Sequence, residues 1–239
     1  MPRFQPIIAP EVFDLRPDFR ALSIHAEGVV NAAETQETTA ALANACKTPC
    51  AETWAEAHRE SWREAYRSFG AKPQRTPCSA EALLKRVMRD GTLPNVNAVV
   101  DLYNAISLRF AIPVGGENAN AYEGAPHLLR ASGNEPFETM QSGVPIAENP
   151  ELGEVIWRDD KGVTCRRWNW RQGVRTRIEA TTTAMWFVFE ALDPMPESAL
   201  LKAGSELVRG LRLLSAEASI DACLLAKDGS TSLSENELP

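Results

Sequence analysis

Three short polar side chains, Asn97, Asp101 and Asn104, recur at i, i+4 and i+7 in the stretch LPNVNAVVDLYNAISLRFAIPVGG, which runs from Leu93 to Gly116. At about 100° per residue they fall on one side of a helix, with Val99, Leu102, Tyr103, Ile106 and Phe110 clustered on the other. Asn and Asp are weak helix formers because they compete for backbone hydrogen bonds, so three on one face need a local reason. Two reasons fit: capping of the amino end with a solvated face, or a polar network lining a site. Ile112-Pro113-Val114-Gly115-Gly116 leaves this helix abruptly, and the glycine pair suits a tight turn or a close approach of backbone to a ligand.

A second cluster is cationic. Six basic residues, Lys161, Arg166, Arg167, Arg171, Arg175 and Arg177, occur with no acid among them, in a chain whose net charge is −7. The overall charge disfavours a general nucleic-acid coat, DNA included, because phosphate binding needs Lys and Arg to displace counterions. The local strip leaves room for a confined phosphate contact. Arg167 stands between Arg166 and two tryptophans, and if it faces inward it needs an acid such as Glu154 or an anionic ligand.

The elements that must position these groups follow from periodicity. A strand is expected over Phe19–Val30, helices over Gln36–Lys47 and Glu52–Phe69, and a helix over Ala80–Arg89 with Ser79 as cap and Gly91 as stop. In the second helix Trp54, His58, Trp62, Ala65, Tyr66 and Phe69 form an apolar stripe, which makes His58 a packed histidine. Short strands are expected at His127–Ala131 and Glu154–Arg158, then a hairpin turning at Asp159-Asp160-Lys161-Gly162. Continued at period 2, the next strand sends Val163, Cys165, Arg167, Asn169 and Arg171 one way and Thr164, Arg166, Trp168 and Trp170 the other. Thr181–Leu192 reads as a central strand, Glu197–Leu214 as an amphipathic helix, and the final DGSTSLSENELP as a frayed tail. The expected architecture is an α/β (α+β) fold: one domain over residues 1–228 with a central mixed sheet flanked by helices, and a disordered tail over 229–239.

At 239 residues, 44% hydrophobic and 24% charged, the chain has the make-up of a globular domain able to bury a core. No run is long and apolar enough to span a membrane, and the opening MPRFQP lacks the apolar core of a secretion signal, so the cytoplasm is the expected location and no membrane partner is expected. Five cysteines without a C-x-x-C pair and three scattered histidines support neither a disulfide framework nor a metal site. G-x-S-x-G, phosphate-loop, dinucleotide and H-E-x-x-H signatures are all missing, which leaves common cofactor chemistry unsupported and the expected cofactor set empty.

The order Asn97, Val99-Val100-Asp101, Asn104, Pro113 resembles the B3/B4 editing domain of the phenylalanyl-tRNA synthetase β subunit. Leu129-Arg130-Ala131 with Gly133-Asn134-Glu135 looks like a strand and turn of that family, and Thr181–Glu190 like its closing strand. Trp62-Arg63, the phrase at Ser79–Arg86 and RRWNWRQ at Arg166–Gln172 are similar to freestanding members, so the chain reads as a freestanding copy with no synthetase attached. The resemblance runs from about Ser79 to Leu192.

The resemblance implies hydrolysis of the ester that joins a wrong amino acid to the terminal adenosine of a tRNA, making the aminoacylated 3′ end the expected partner. Three departures reshape the implied pocket: Tyr103 stands where the editing synthetases have threonine, Gly115 where they have histidine, and Asn169–Thr176 offers Gln172 but no acid. With water as nucleophile, Asp101, Asn104 and Glu117 form the implied catalytic set, Asp101 or Glu117 orienting the water and the Gly115-Gly116 backbone receiving the oxyanion. Asn97, Tyr103, Gly115, Gly116, Arg167, Asn169, Arg171 and Gln172 would bind substrate, and Arg166, Arg175 and Arg177 the tRNA. A non-catalytic module binding tRNA or an amino acid is the alternative, and a hydrolase of small esters unrelated to tRNA is a third.

Overall fold

The computed structural model describes residues 4–141, 143–234, 237 and 238. In chain order it opens with β1 (Ile7–Ile8), α1 (Pro10–Leu15) and β2 (Arg20–Glu27), followed by four helices: α2 (Gln36–Lys47), α3 (Ala55–Ser68), α4 (Ser79–Asp90) and α5 (Ala98–Phe110). Seven strands come next: β3 (Val114–Asn118), β4 (His127–Arg130), β5 (Phe137–Gln141), β6 (Val144–Glu148), β7 (Val155–Arg158), β8 (Val163–Arg166) and β9 (Arg171–Gln172). β10 (Ala184–Ala191), α6 (Glu197–Leu214), β11 (Ser219–Ala226) and β12 (Gly229–Leu233) complete the chain.

The expected mixed α/β architecture is present, organised around two five-stranded sheets in place of one. The first, β1-β4-β7-β8-β9, is mixed, with β1 parallel to β4 and the other pairs antiparallel. The second, β12-β11-β2-β10-β3, is antiparallel and forms the central layer. All eight residues of β10 are buried, because both faces of this layer are covered. Met185, Phe187 and Phe189 join Leu22, Ile24, Ile106, Leu200, Leu207 and Leu211 beneath α5 and α6. The alternate residues Trp186 and Val188 face the other sheet, packing with Trp62, Trp157, Trp168 and Phe19. Each fully buried side chain of this size contributes about 1.5–3 kcal/mol of transfer free energy, so the two faces together make β10 the main anchor of the fold.

Several expectations are corrected. The β8 strand does not continue to Arg171: Arg167 (φ 47°) and Trp168 (φ 67°) adopt left-handed backbone and turn the chain back to β9, which destroys the period-2 alternation after Arg166. Gly115-Gly116 is not a turn but part of edge strand β3, paired with Val188 and Phe187. Residues 229–233 of the supposed disordered tail form β12 on β11, and Leu238 is buried; residues 235, 236 and 239 lie outside the described set. The helix expected from Glu52 begins at Ala55, and Cys78 takes the cap position assigned to Ser79. Gly91 stops α4 in the left-handed conformation (φ 75°), as its type foretells.

The polar ridge of α5 splits into separate tasks. Asn97 caps the helix, its side chain accepting from Val100 N at 3.0 Å and donating to Ile178 O at 3.4 Å. Asp101 is fully buried and turns back on the approach to the helix, accepting from Asn95 Nδ2 at 2.6 Å and Val96 N at 2.9 Å. We expect Asp101→Ala to lower stability by about 1.5–3 kcal/mol, the typical worth of hydrogen bonds to a charged group, as read from the urea midpoint.

Candidate functional site

A hollow of about 320 Å³ opens where α4, α5 and edge strand β3 meet the β8–β9 turn. Its deep wall alternates along β10. Val188 and Glu190 point into the space between the sheets with Gly115 and Glu117 of β3, since Gly115 pairs with Val188 and Glu117 with Trp186. Gly116 faces the opposite way, under Tyr103, where a Cβ would lie 2.6 Å from ring atom Cε1. Its side-chain hydrogen is therefore what lets α5 pack onto β3. The Gly116 carbonyl accepts from Gln172 Nε2 at 3.0 Å, which ties β9 across the edge of the central sheet.

Two buried carboxyls line this hollow. Glu190 accepts from Asn169 Nδ2 at 2.9 Å and Trp157 Nε1 at 3.0 Å, and Asn169 is itself set by the Tyr66 hydroxyl at 2.8 Å on its Oδ1. Burial pushes Glu190 up to about 8, against the pull of the Asn169 and Trp157 donors, and the nearby Glu117 adds to the rise. The Trp168 indole N–H also lowers it, although that buried group closes no hydrogen bond of ordinary geometry. Glu117 accepts from the Tyr122 hydroxyl, which also approaches Thr164 Oγ1 at 3.1 Å. Burial raises Glu117 to about 7, opposed by Tyr122 and the charge of Arg175.

Of the residues singled out from sequence, Tyr103, Asn104, Gly115, Gly116, Glu117, Asn169 and Gln172 border this one hollow. Asn169 spends one bond at each end of its amide, on Tyr66 and on Glu190, and so positions Glu190. Asn97 and Asp101 are spent on the start of α5, as described above, and do not line the hollow.

The arginines are largely engaged inside the protein. Arg166 is buried on Glu154 (3.0 and 2.7 Å) and Glu148 (2.7 Å). Arg171 bonds Glu148 at 2.8 Å and lies over Trp170, and Arg175 grips buried Asp159 at 2.9 and 2.7 Å. These pairs explain why a basic strip exists in an acidic chain: its charges neutralise internal acids. Arg167 stacks on Trp170 at 4.5 Å, its backbone N–H donates to Glu154 at 2.9 Å, and its side chain borders a separate cleft with Lys72 and Arg75. Arg177 is exposed and away from the hollow.

Sequence reading missed Glu190, Trp157 and Arg86. The signal for the first was available, a single acid inside the apolar run AMWFVFEA. Arg86 is exposed on α4 and lines the hollow, a position no periodicity argument marks. A larger groove of about 800 Å³ lies beside α5 and α6, and its one buried acid, Glu206, is closed by Arg109 at 2.6 and 2.9 Å. Among the described residues no group of three His, Cys, Asp or Glu side chains converges to hold a metal ion.

His58 is packed, as its place in the apolar stripe foretells. Its Nδ1 donates to Ala111 O at 3.0 Å, while Nε2 accepts from Trp62 Nε1 at 3.1 Å and Leu192 N at 3.2 Å. Burial lowers its pKa to about 4, and it stands outside the hollow.

Glu117 and Glu190 both rise above the ordinary 4.5, so the folded protein keeps protons that the unfolded chain releases. Their contribution to stability is fully present below pH 4.5 and is lost as pH rises through about 7 and about 8. We expect stability to fall across that window in denaturant titrations, and Glu190→Gln, which cannot ionise, to flatten the fall. An unchanged pH slope in the variant contradicts this placement of the proton.

Comparison with known proteins agrees with the geometry. The sequence model of the B3/4 domain matches residues 61–207, more than half of the chain. Among solved structures, an N-terminal fragment of the phenylalanyl-tRNA synthetase beta-subunit from Pyrococcus horikoshii shares the fold with a TM-score of 0.53 at 10% identity, over 98% of this chain. The chain spans 57% of the length of that fragment. A comparison with curated proteins finds no match. The matched span runs from α3 into α6 and takes in every wall of the hollow, and the chain belongs to the B3/4 domain family.

Proposed function

We propose that this protein binds the aminoacylated 3′ end of a tRNA and hydrolyses the ester of a wrongly attached amino acid, acting in trans in the cytoplasm. The observation that carries the reading is Glu117: a buried carboxyl brought near 7, lining an acyl-sized hollow, in a fold shared with a synthetase subunit. An aminoacyl ester is already activated, so one base, one water and an oxyanion donor suffice. A base near neutral pKa has the best compromise between being deprotonated and holding the proton it takes.

In this scheme Glu117 takes a proton from water as the oxygen attacks the ester carbonyl. The oxyanion is met by the Gly116 N–H, which leaves the strand on the same edge as the carbonyl bound by Gln172 and so faces away from β10. Collapse breaks the acyl–oxygen bond, and the proton passes from Glu117 to the leaving ribose oxygen. Asn104 holds polar atoms of the acyl group. Asp101 is replaced in this scheme by Glu117 because its carboxylate is committed to Asn95 and Val96. Arg86 at the rim and exposed Arg177 are the phosphate contacts, in place of Arg166 and Arg175, which have internal acids.

A non-catalytic binding module is the second reading, favoured by the Tyr122 hydroxyl that occupies one oxygen of Glu117. A panel of mischarged tRNAs separates the two. Hydrolysis of at least one, with kcat/KM rising with pH to a plateau above about 7, is the expected result, together with a loss of about 10²–10⁴-fold in Glu117→Gln. Tight tRNA binding with no hydrolysis across the whole panel establishes the binding module. Replacing Arg86 and Arg177 by alanine is expected to reduce the salt dependence of tRNA binding by about 0.7 in log–log slope per lost contact.

A further inference from the structure

Glu190 has an unusual set of neighbours for a buried acid. Its two oxygens accept from neutral groups, Asn169 Nδ2 at 2.9 Å and Trp157 Nε1 at 3.0 Å, and no cation figures in what holds it. Trp168 Nε1, buried in the same wall, leans toward Glu190 but closes no hydrogen bond of ordinary geometry. Trp157, Trp168, Trp170 and Tyr103 supply aromatic surface around the hollow. Accepting bonds on both oxygens suits the ionised form, yet an ionised carboxyl in such a place is costly until a cation joins it. Aromatic faces add to the attraction for that cation through their quadrupoles.

The register of the strands makes the hollow a slot with an acid at each end. Glu117 sits opposite Trp186, four residues along β10 from Glu190, which separates the two acids by roughly 13 Å of strand. Gly115 lies between them opposite Val188 and carries no side chain to block the floor. A Cβ there would come within 3.2 Å of Val188 Cγ1.

We propose that the Glu190 end of the slot selects acyl groups whose side chain ends in an ammonium, the lysine and ornithine class. The inference rests on the reading above that the slot receives the acyl group, with the ester at the Glu117 end. An unbranched stem of about four carbons crosses the bare floor at Gly115 and delivers its ammonium to Glu190, between the indoles. A neutral side chain of the same length leaves the acid without its counter-ion.

Binding of L-lysinamide and L-norleucinamide, measured by calorimetry, tests the selection without requiring turnover, and hydrolysis of RNA minihelices acylated with lysine, methionine or phenylalanine tests turnover. Lysinamide is expected to bind about tenfold more tightly than norleucinamide. The preference should disappear in Glu190→Gln with an unchanged far-ultraviolet spectrum, and Gly115→Ala should weaken both ligands by narrowing the floor. Equal affinity, tighter binding of the neutral ligand, binding of neither, or a preference that survives Glu190→Gln overturns the proposal. Selective lysinamide binding without hydrolysis of any minihelix keeps it and removes the hydrolase reading. Hydrolysis confined to the neutral acyl groups does the reverse.

Discussion

Both faces of β10 are buried, and that constraint organises the rest of the molecule. A strand covered on one side only could carry polar residues on the other. Here Met185, Phe187 and Phe189 are claimed by the helices and Trp186 and Val188 by the second sheet, which leaves no solvated face on which a charge could rest. Glu190 breaks the pattern near the end of the strand, where it lines the hollow. Its neighbours show how such an exception is tolerated: Tyr66 fixes Asn169, and Asn169 with Trp157 fixes the acid. Three elements distant in sequence, α3, the β8–β9 turn and β7, are thereby joined to β10 through one carboxyl.

The second organising feature is internal charge neutralisation. Arg166 joins buried Glu154 and half-buried Glu148, and Arg175 joins buried Asp159. Such pairs seldom stabilise a fold relative to apolar packing, but losing one partner leaves an uncompensated charge. Their effect here is geometric. They hold the β8–β9 turn, whose left-handed Arg167 and Trp168 bring Asn169 beside Glu190. The strain at those two residues is of the kind that persists only where surrounding contacts over-determine it.

Much of the scaffold was legible in the sequence, and the reasons are local. α2 and α6 run between the residues that periodicity marks, and Gly91 stops α4, because apolar spacing and end signals are carried by neighbouring residues. The family motifs around Asn97–Pro113 marked the helix that walls the site, while the strand after Pro113 reads in the sequence as a turn or a close approach of backbone. What was not legible depends on pairing across distance. Arg166 looked like a phosphate contact because its acids lie 12 and 18 positions away and only the fold brings them together. Asp101 looked like a site residue because helical spacing places it beside Asn104, whereas its carboxylate bends back to Asn95. No acid lies between Asn169 and Thr176, and the buried acid beside Asn169 is Glu190, which reaches it from the neighbouring layer. The final strand escaped notice because Gly229–Leu233, a short edge strand rich in small polar residues, has little apolar pattern of its own.

The contact of Tyr103 with Gly116 ties two positions of the chain into a single evolutionary unit. The phenol ring occupies the volume that any side chain on the strand would need. Relatives that gain a methyl or more at the strand position must trim the aromatic, and relatives with a small residue on the helix are released from needing glycine. Growth at the strand position alone is blocked while the aromatic remains, so change there should follow, or arrive together with, a smaller residue on the helix.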